Sequence, residues 1–219
     1  MSKPDSLIPD ARDLHKVAAL YVQRDGIYFG LPDVDPWDEA RDARNYDGPF
    51  PVVAHPPCNH WCQLASVNAA RYESFNVGHD GGCFKAALVD VRRFGGVLEH
   101  PAYSLAWTAF GLPKPIRGSW TQAQTLDDFG WVTEVSQSAY GHPARKRTWL
   151  YYVGDPSEPP FDVDWTDAPG EAVIGGGINS GECVGRRKIE KREANATPLA
   201  FRDVLLDLAR SCHKVEVAA

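Results

Sequence analysis

The sequence predicts an α/β protein with a mostly parallel sheet. Three observations point there. Short apolar runs alternate along the 219 residues with segments of helical period. Two of those runs, "FPVVAHPP" and "GGVLEHP", are short and apolar, and each stops at a proline. The stretch "CFKAALVDVRRFG" sets Phe84, Ala87, Leu88 and Val91 on one helical face. Parallel sheets of this kind place ligands at the carboxyl ends of their strands.

Taken in order, "HKVAALYVQ" reads as a buried strand. It opens into a long loop with one short helical piece near Asp38 to Arg44, followed by the strand "FPVVAHPP". "NHWCQLASVNAARYESF" reads as a loop entering a helix, then comes the amphipathic helix from Cys83, then the strand "GGVLEHP". "TLDDFGWVTEVSQSAYGHPARKRTWLYYVG" reads as strand, turn, strand, with its loop at Gly141-His142-Pro143. Residues 155–190 are rich in Gly, Pro and acids without a sustained period, which makes them a loop-rich insertion. "TPLAFRDVLLDLARSC" closes as a helix with Thr197 as N-cap and Pro198 at its first position.

Hydrophobic residues make up 43% of the chain, enough for a substantial core in one domain. No apolar run approaches the roughly 20 residues that span a bilayer. The opening "MSKPDSLIPDARD" is polar and acidic, unlike a signal peptide. Five cysteines, an odd number, are expected to be free thiols of a reducing cytosol. The net charge of −6 is not that of a typical nucleic-acid binder, but its distribution is uneven. Residues 1–50 carry ten acids and six bases, and 155–171 carry six acids and no base, whereas "RRKIEKR" at 186–192 carries five bases and one acid. A basic face on an acidic body is therefore expected to be local.

Cys58 and Glu99 each follow a strand-like run, so both are expected on the ligand edge of the sheet. A thiolate is a strong nucleophile, but a free thiol is mostly protonated at neutral pH and needs nearby positive charge. His55, His60 and the arginines of "ARKR" are the candidates. Glu99 could serve as an acid or as hydrogen-bond partner to a ring nitrogen.

These residues resemble the DNA cytosine-C5 methyltransferases. "HPPC" resembles that family's Pro-Cys nucleophile loop. "GVLEHP" resembles its Glu-Asn-Val segment, with His100 in place of Asn. "FGWVTEVSQSAYGHPARKRTWLYYVG" resembles its Gly-Tyr strand, Tyr-Gly-Val-Pro-Gln stretch and Arg-x-Arg strand, with Arg145 and Arg147 as the two arginines. "EANATPLAFRDVLLDLA" is similar to its closing Gly-Asn-x-x-Pro helix. The four matches fall in the family's order over roughly residues 50–154 and 193–210.

The resemblance, closest to the short phage-associated branch, implies a Rossmann-like methyltransferase sheet with helices on both faces. Residues 1–154 and 193–219 would form the catalytic domain, and 155–192 a small target-recognition insertion. It implies a phage-encoded enzyme in the cytoplasm of a bacterial host, acting on double-stranded DNA with no membrane and no protein partner. A cytosine is flipped into the site; Cys58 attacks C6, Glu99 holds the N3 and amino edge, and Arg145 and Arg147 hold the base and its phosphate or steady the loop. His60, Arg186, Arg187 and Lys188 would contact DNA, the last three at phosphates. The implied donor is S-adenosylmethionine, with Tyr21, Asp25, Tyr28, Asp35, Trp37 and Asn195 as its candidate binding residues.

The first strand departs from the family. No Gly-x-Gly follows it, and the second strand that would end in a ribose-binding acid is missing or compressed into the roughly 35 residues before Cys58. Methylenetetrahydrofolate is thus an alternative donor, since thiol addition at C6 activates C5 equally for hydroxymethylation. A non-catalytic DNA-binding relative is another reading. So is zinc held by His55, Cys58, His60 and Cys62, although no second Cys-x-x-Cys pair exists and no metal is expected. A nucleobase deaminase is disfavoured, because its Cys, His and Glu stand in a different order.

Overall fold

The computed structural model describes residues 16–72, 76–124, 129–174 and 185–212. The opening "MSKPDSLIPDARD", Cys183 and the glycine-rich half of the insertion lie outside them, as do Thr125 to Asp128. The chain is α/β, and its main sheet has seven strands in the order β2-β1-β3-β4-β7-β6-β5. These are β1 (Val17–Leu20), β2 (Val34–Trp37), β3 (Val52–Ala54), β4 (Gly96–Pro101), β5 (Thr121–Gln122), β6 (Trp131–Ser136) and β7 (Arg147–Val153). Helices α1 (Gln63–Arg71), α2 (Cys83–Phe94), α3 (Leu105–Ala109), α4 (Lys191–Asn195) and α5 (Leu199–Arg210) surround it. In the insertion, β8 (Ala172–Ile174) and β9 (Arg187–Ile189) form a separate parallel pair.

The expectation of a mostly parallel sheet is met in one half. The pairings β1–β2, β1–β3 and β3–β4 are parallel, while β4–β7, β6–β7 and β5–β6 are antiparallel. The short link between β6 and β7, a 3-10 turn at Gln137–Tyr140 and the loop to Lys146, leaves no room for a crossover, so these strands must run as a hairpin. A second correction concerns β2. It is four residues long, lies parallel to β1, and runs into Asp38; the second strand is present, shortened by Pro36 and reached by a loop rather than a helix. A third concerns α5. It starts at Leu199 with Pro198 as its N-cap residue and no side-chain cap, one residue later than Thr197 predicted.

Alternation along each strand divides the core in two. Ala18, Leu20, Val52, Ala54 and Leu98 face Phe84, Ala87, Leu88 and Val91 of α2. Val17, Ala19, Val53, Val97 and Leu150 face Phe201, Leu205, Leu206 and Leu208 of α5. Each such aliphatic side chain, fully buried, contributes about 1.5–3 kcal/mol by leaving water. The stripes read from the sequence therefore set one helix on each side of β1, β3 and β4.

The β3–β4 pairing depends on Gly96. Its φ is +117°, and a Cβ there would lie 2.0 Å from the Val52 carbonyl oxygen. No side chain fits without driving the strands apart. Gly96→Ala is expected to cost about 3 kcal/mol or more, combining backbone strain with overpacking; a urea-denaturation midpoint equal to the parent's would contradict this.

Candidate active site

The strand order reverses direction between β1 and β3, the position at which open α/β sheets hold ligands beyond the carboxyl ends of their strands. At this edge the His55 amide donates to the Leu20 carbonyl at 3.1 Å, so the chain leaving β3 stays against the end of β1. In register, Ala54 pairs with Leu98, which brings His55 beside Glu99. Two prolines then carry the chain outward to Cys58, whose carbonyl accepts from the amides of Trp61 and Cys62 and closes a tight turn.

A buried hydrogen-bonded chain joins this edge. His55 Nδ1 donates to Glu99 Oε2 at 2.9 Å, and His55 Nε2 lies 2.8 Å from the Tyr28 hydroxyl. Gln137 Nε2 donates to Glu99 Oε1 at 3.2 Å and to Thr148 Oγ1 at 2.9 Å. Gln137 Oε1 is buried with no partner among the described residues. Burial by itself would raise the Glu99 pKa, but the hydrogen bond and charge of His55, with Lys146 behind them, hold the carboxyl at about 2. Burial, and then the Glu99 charge, push the Tyr28 hydroxyl well above the usual tyrosine value. Burial also pushes the Cys58 thiol up, assisted by Glu99 and Cys62 and opposed by Lys146. In this state Cys58 is not an activated thiolate.

The structure separates several residues that the sequence grouped. Arg145 and Arg147 belong to a different cluster. Arg147 donates to Glu134 Oε1 at 2.9 and 2.5 Å, Arg117 reaches the same oxygen at 2.7 Å, and Trp149 Nε1 donates to Glu134 Oε2 at 2.8 Å. Arg117 and Arg145 both bind Asp167. Glu134, Trp149 and His100 are aligned across β6, β7 and β4, one residue out of phase with Glu99 and Leu150, so this cluster lies on the α2 face and Glu99 on the α5 face. His100 itself is buried, with neither ring nitrogen hydrogen-bonded among the described residues, and burial lowers its pKa to about 4. Trp61 is core, packed on Phe84 and Phe110 with Nε1 on Asp80. His60 is half-buried, with Nδ1 2.8 Å from the Asn76 carbonyl.

The candidate donor residues are also dispersed. Tyr21 packs on the α2 side and Tyr28 on the α5 side. Asp35 accepts from Trp37 Nε1 at 2.8 Å and from Arg41 at 2.5 Å, and the Arg41 guanidinium stacks 3.9 Å over the Trp37 ring. Asp38, the acid that ends β2, accepts from the amides of Ala40 and Arg41 and from Arg24. Asp25 sits in the loop with φ +55°. Asn195 ends α4, and its carbonyl accepts from Lys146 Nζ at 3.4 Å. The carboxylates a ribose would need are thus engaged within the chain, Tyr28 is bound to His55, and Gly30, the open glycine of this loop, meets nothing within 4 Å that would form a cradle. In this arrangement Asp35, Asp38 and Tyr28 are held by partners of the chain itself.

In the insertion, Arg186 donates to the Pro169 carbonyl at 3.0 Å, Arg187 is paired with Glu193, and Lys188 is exposed on β9. Among the described residues no group of three or more His, Cys, Asp or Glu side chains is placed to hold a metal ion, so His55, Cys58, His60 and Cys62 do not converge. No helix among the described residues is long and apolar enough to cross a membrane. No protein-family model, curated protein or solved structure matches the chain.

Sequence reasoning underweighted His55 and missed Gln137 and Lys146. Lys146 lies just before β7, between the two arginines that drew attention, and nothing local marked Gln137. The pKa of Glu99 is lower in the fold than its ordinary 4.5, so its ionisation stabilises the fold above about pH 4.5, and that contribution disappears as pH falls toward 2. His55→Ala removes the main influence opposing burial. The variant is expected to be less stable than the parent at pH 7, with the difference shrinking below pH ~4; urea midpoints measured across that range would refute this if the gap stayed constant.

Proposed function

We propose that this protein modifies cytosine at C5 in double-stranded DNA, most simply by methylation, on a base flipped out of the helix. One observation carries the reading. Glu99 lies near the carboxyl end of β4, Cys58 follows the carboxyl end of the adjacent parallel strand β3, and the Glu99 charge bears on the thiol. A thiol and a carboxylate so placed match the two faces of the task, attack at C6 and recognition of the N3 and amino edge. The parallel half of the sheet, covered by α2 and α5 and reversing order between β1 and β3, agrees with the Rossmann-like methyltransferase architecture that the motifs imply.

Each residue then has a defined part. The Cys58 proton leaves to solvent, and the sulfur bonds to C6. Glu99 binds N3 and favours its protonation, so the electron pair of the C5=C6 bond becomes available at C5. The base would take the place of Gln137 on Oε1, the longer of the two contacts to Glu99. Gln137 Oε1, a buried acceptor without a partner, suits the amino group. C5 bonds to an electrophilic carbon of the donor as the donor's leaving group departs with the electron pair of the broken bond; the C5 proton is then lost to solvent, and the S–C6 bond breaks to restore Cys58. His55, held by Tyr28, keeps Glu99 oriented and ionised between turnovers. Arg186, Arg187 and Lys188 supply positive charge for phosphates.

A second reading, C5 hydroxymethylation from a folate one-carbon donor, is favoured by the internal engagement of Asp35 and Asp38, which leaves no ribose site at the end of β2. Nucleoside mass spectrometry of DNA from expressing cells separates the two by added mass. Unmodified cytosine, together with no covalent adduct to a 5-fluorocytosine duplex under any one-carbon donor, would remove the enzymatic reading and leave a DNA-binding relative. Cys58→Ala is expected to abolish the adduct. Glu99→Gln is expected to slow it about 100-fold or more with DNA affinity largely kept. Replacing Arg186 and Arg187 with Ala is expected to weaken DNA binding on all sequences and to reduce its salt dependence, read by titration at several salt concentrations; a changed target sequence instead would reassign them to base contact.

A further inference from the structure

Gly170 seats the insertion against the loop that joins β6 to β7. Its φ is +70°, and a Cβ there would lie 2.6 Å from the Pro143 carbonyl oxygen and 2.9 Å from the Arg145 amide nitrogen, so only glycine permits the contact. The Ala172 amide then donates to the Pro143 carbonyl at 2.9 Å, and Ala144, Ala172, Ile189 and Ala194 close a small buried core of their own. This packing leaves a cavity of about 250 Å³ lined by the side chains of Arg145, Arg147 and Arg186 and by Ala172, Val173 and Ile174 of β8.

We propose that this cavity is an oxyanion site that takes a phosphate group in its dianionic form, as the free ion or as the terminal phosphate of an ester. Arg147 shares one oxygen of Glu134 with Arg117, so that carboxylate serves two guanidiniums. Arg186 donates to the Pro169 carbonyl at 3.0 Å and has no carboxylate partner among the described residues. Nη1 of Arg147 and Nε and Nη2 of Arg186 are donors without an acceptor among the described residues. Arg145, held by Asp167, adds a third guanidinium to the lining. Arg145 and Arg147 keep 28% and 33% of their side-chain surface exposed, so an anion can reach them from solvent. Guanidinium forks match phosphate oxygens in pairs. The apolar wall of β8 keeps water from one side and strengthens that attraction. Two guanidiniums with open donors favour a dianion over a singly charged carboxylate, and a phosphomonoester is largely dianionic at neutral pH. The cavity is smaller than the roughly 300–1,000 Å³ of an ordinary small-molecule pocket, which suits a phosphate group and little of what it is attached to. The proposal does not depend on the cytosine reading and concerns residues other than Cys58 and Glu99.

The test follows thermal unfolding of the full chain against inorganic phosphate, with sodium chloride at matched ionic strength as reference. Phosphate is expected to raise the midpoint in a saturable way. Arg186→Gln, which leaves the pairs of Glu134 and Asp167 in place, is expected to weaken the apparent affinity about tenfold or more. Val173→Glu, which puts a carboxylate in the wall, is expected to do the same and carries the test should the Gln variant fail to fold. Circular dichroism confirms folding, and Lys85→Gln, on the exposed side of α2, is expected to bind as the parent does. No stabilisation beyond that of chloride overturns the site, as does parental affinity in a folded Arg186→Gln or Val173→Glu variant. A short oligonucleotide with a 5′-phosphate and its 5′-hydroxyl counterpart then compete for bound phosphate. Displacement by the phosphorylated form alone supports the site as one for an ester terminus, and displacement by neither supports it for the free ion. Equal displacement by both overturns the dianion assignment in favour of a backbone diester. A parent that forms no 5-fluorocytosine adduct yet binds phosphate in this way removes the cytosine reading and leaves this one standing.

Discussion

The close approach of β3 to β4 at Gly96 governs the geometry of the site. With no Cβ in the way, the Val52 carbonyl sits against the Gly96 backbone and the two strands keep a parallel register without slip. A slip of one residue would turn Glu99 to the α2 face and break its contact with His55. The register also fixes where the chain leaves β3. Pro56 and Pro57 then hold an extended path that delivers Cys58 to the same edge. Backbone sterics at one glycine therefore determine which side chains share the carboxyl edge of β3 and β4.

From that edge inward the site is a set of matched charges. Glu99 is buried yet ionised because the hydrogen bond and charge of His55, with the more remote charge of Lys146, outweigh the effect of burial, and Gln137 donates to its other oxygen. Tyr28 orients His55 from a loop that is itself tied to α5, where Arg202 donates to the Ile27 carbonyl at 3.0 Å. The buried carboxylate is thereby coupled to three parts of the fold: the β1–β2 loop, the hairpin and the closing helix. On the opposite face, Glu134 and Asp167 gather Arg117, Arg145 and Arg147 into a second network. The sheet keeps these two polar clusters apart.

Much of the fold was legible because it rests on local patterns. The apolar stripe of α2, the runs of β1, β3 and β4, and the hairpin of β6 and β7 each announce themselves within a dozen residues. The mixed direction of the sheet was not legible, since it follows from which strands pair rather than from any one strand. β2 escaped notice because Asp35 and Pro36 break the apolar run and its stability comes from pairing with β1. Within the site, Cys58 and Glu99 could be placed from the apolar runs they follow, although β4 continues past Glu99 to Pro101. Gln137 could not, because its role is set by a contact across 38 residues of chain. The arginines of "ARKR" drew attention by charge, but both are paired with acids away from Glu99.

The double hold of Arg117 and Arg145 on Asp167 adds an electrostatic fastening of the acidic arm 155–171 to the packing of Val163 and Trp165 on the α5 side of the sheet. Such a clasp answers to ionic strength and to competing polyanions.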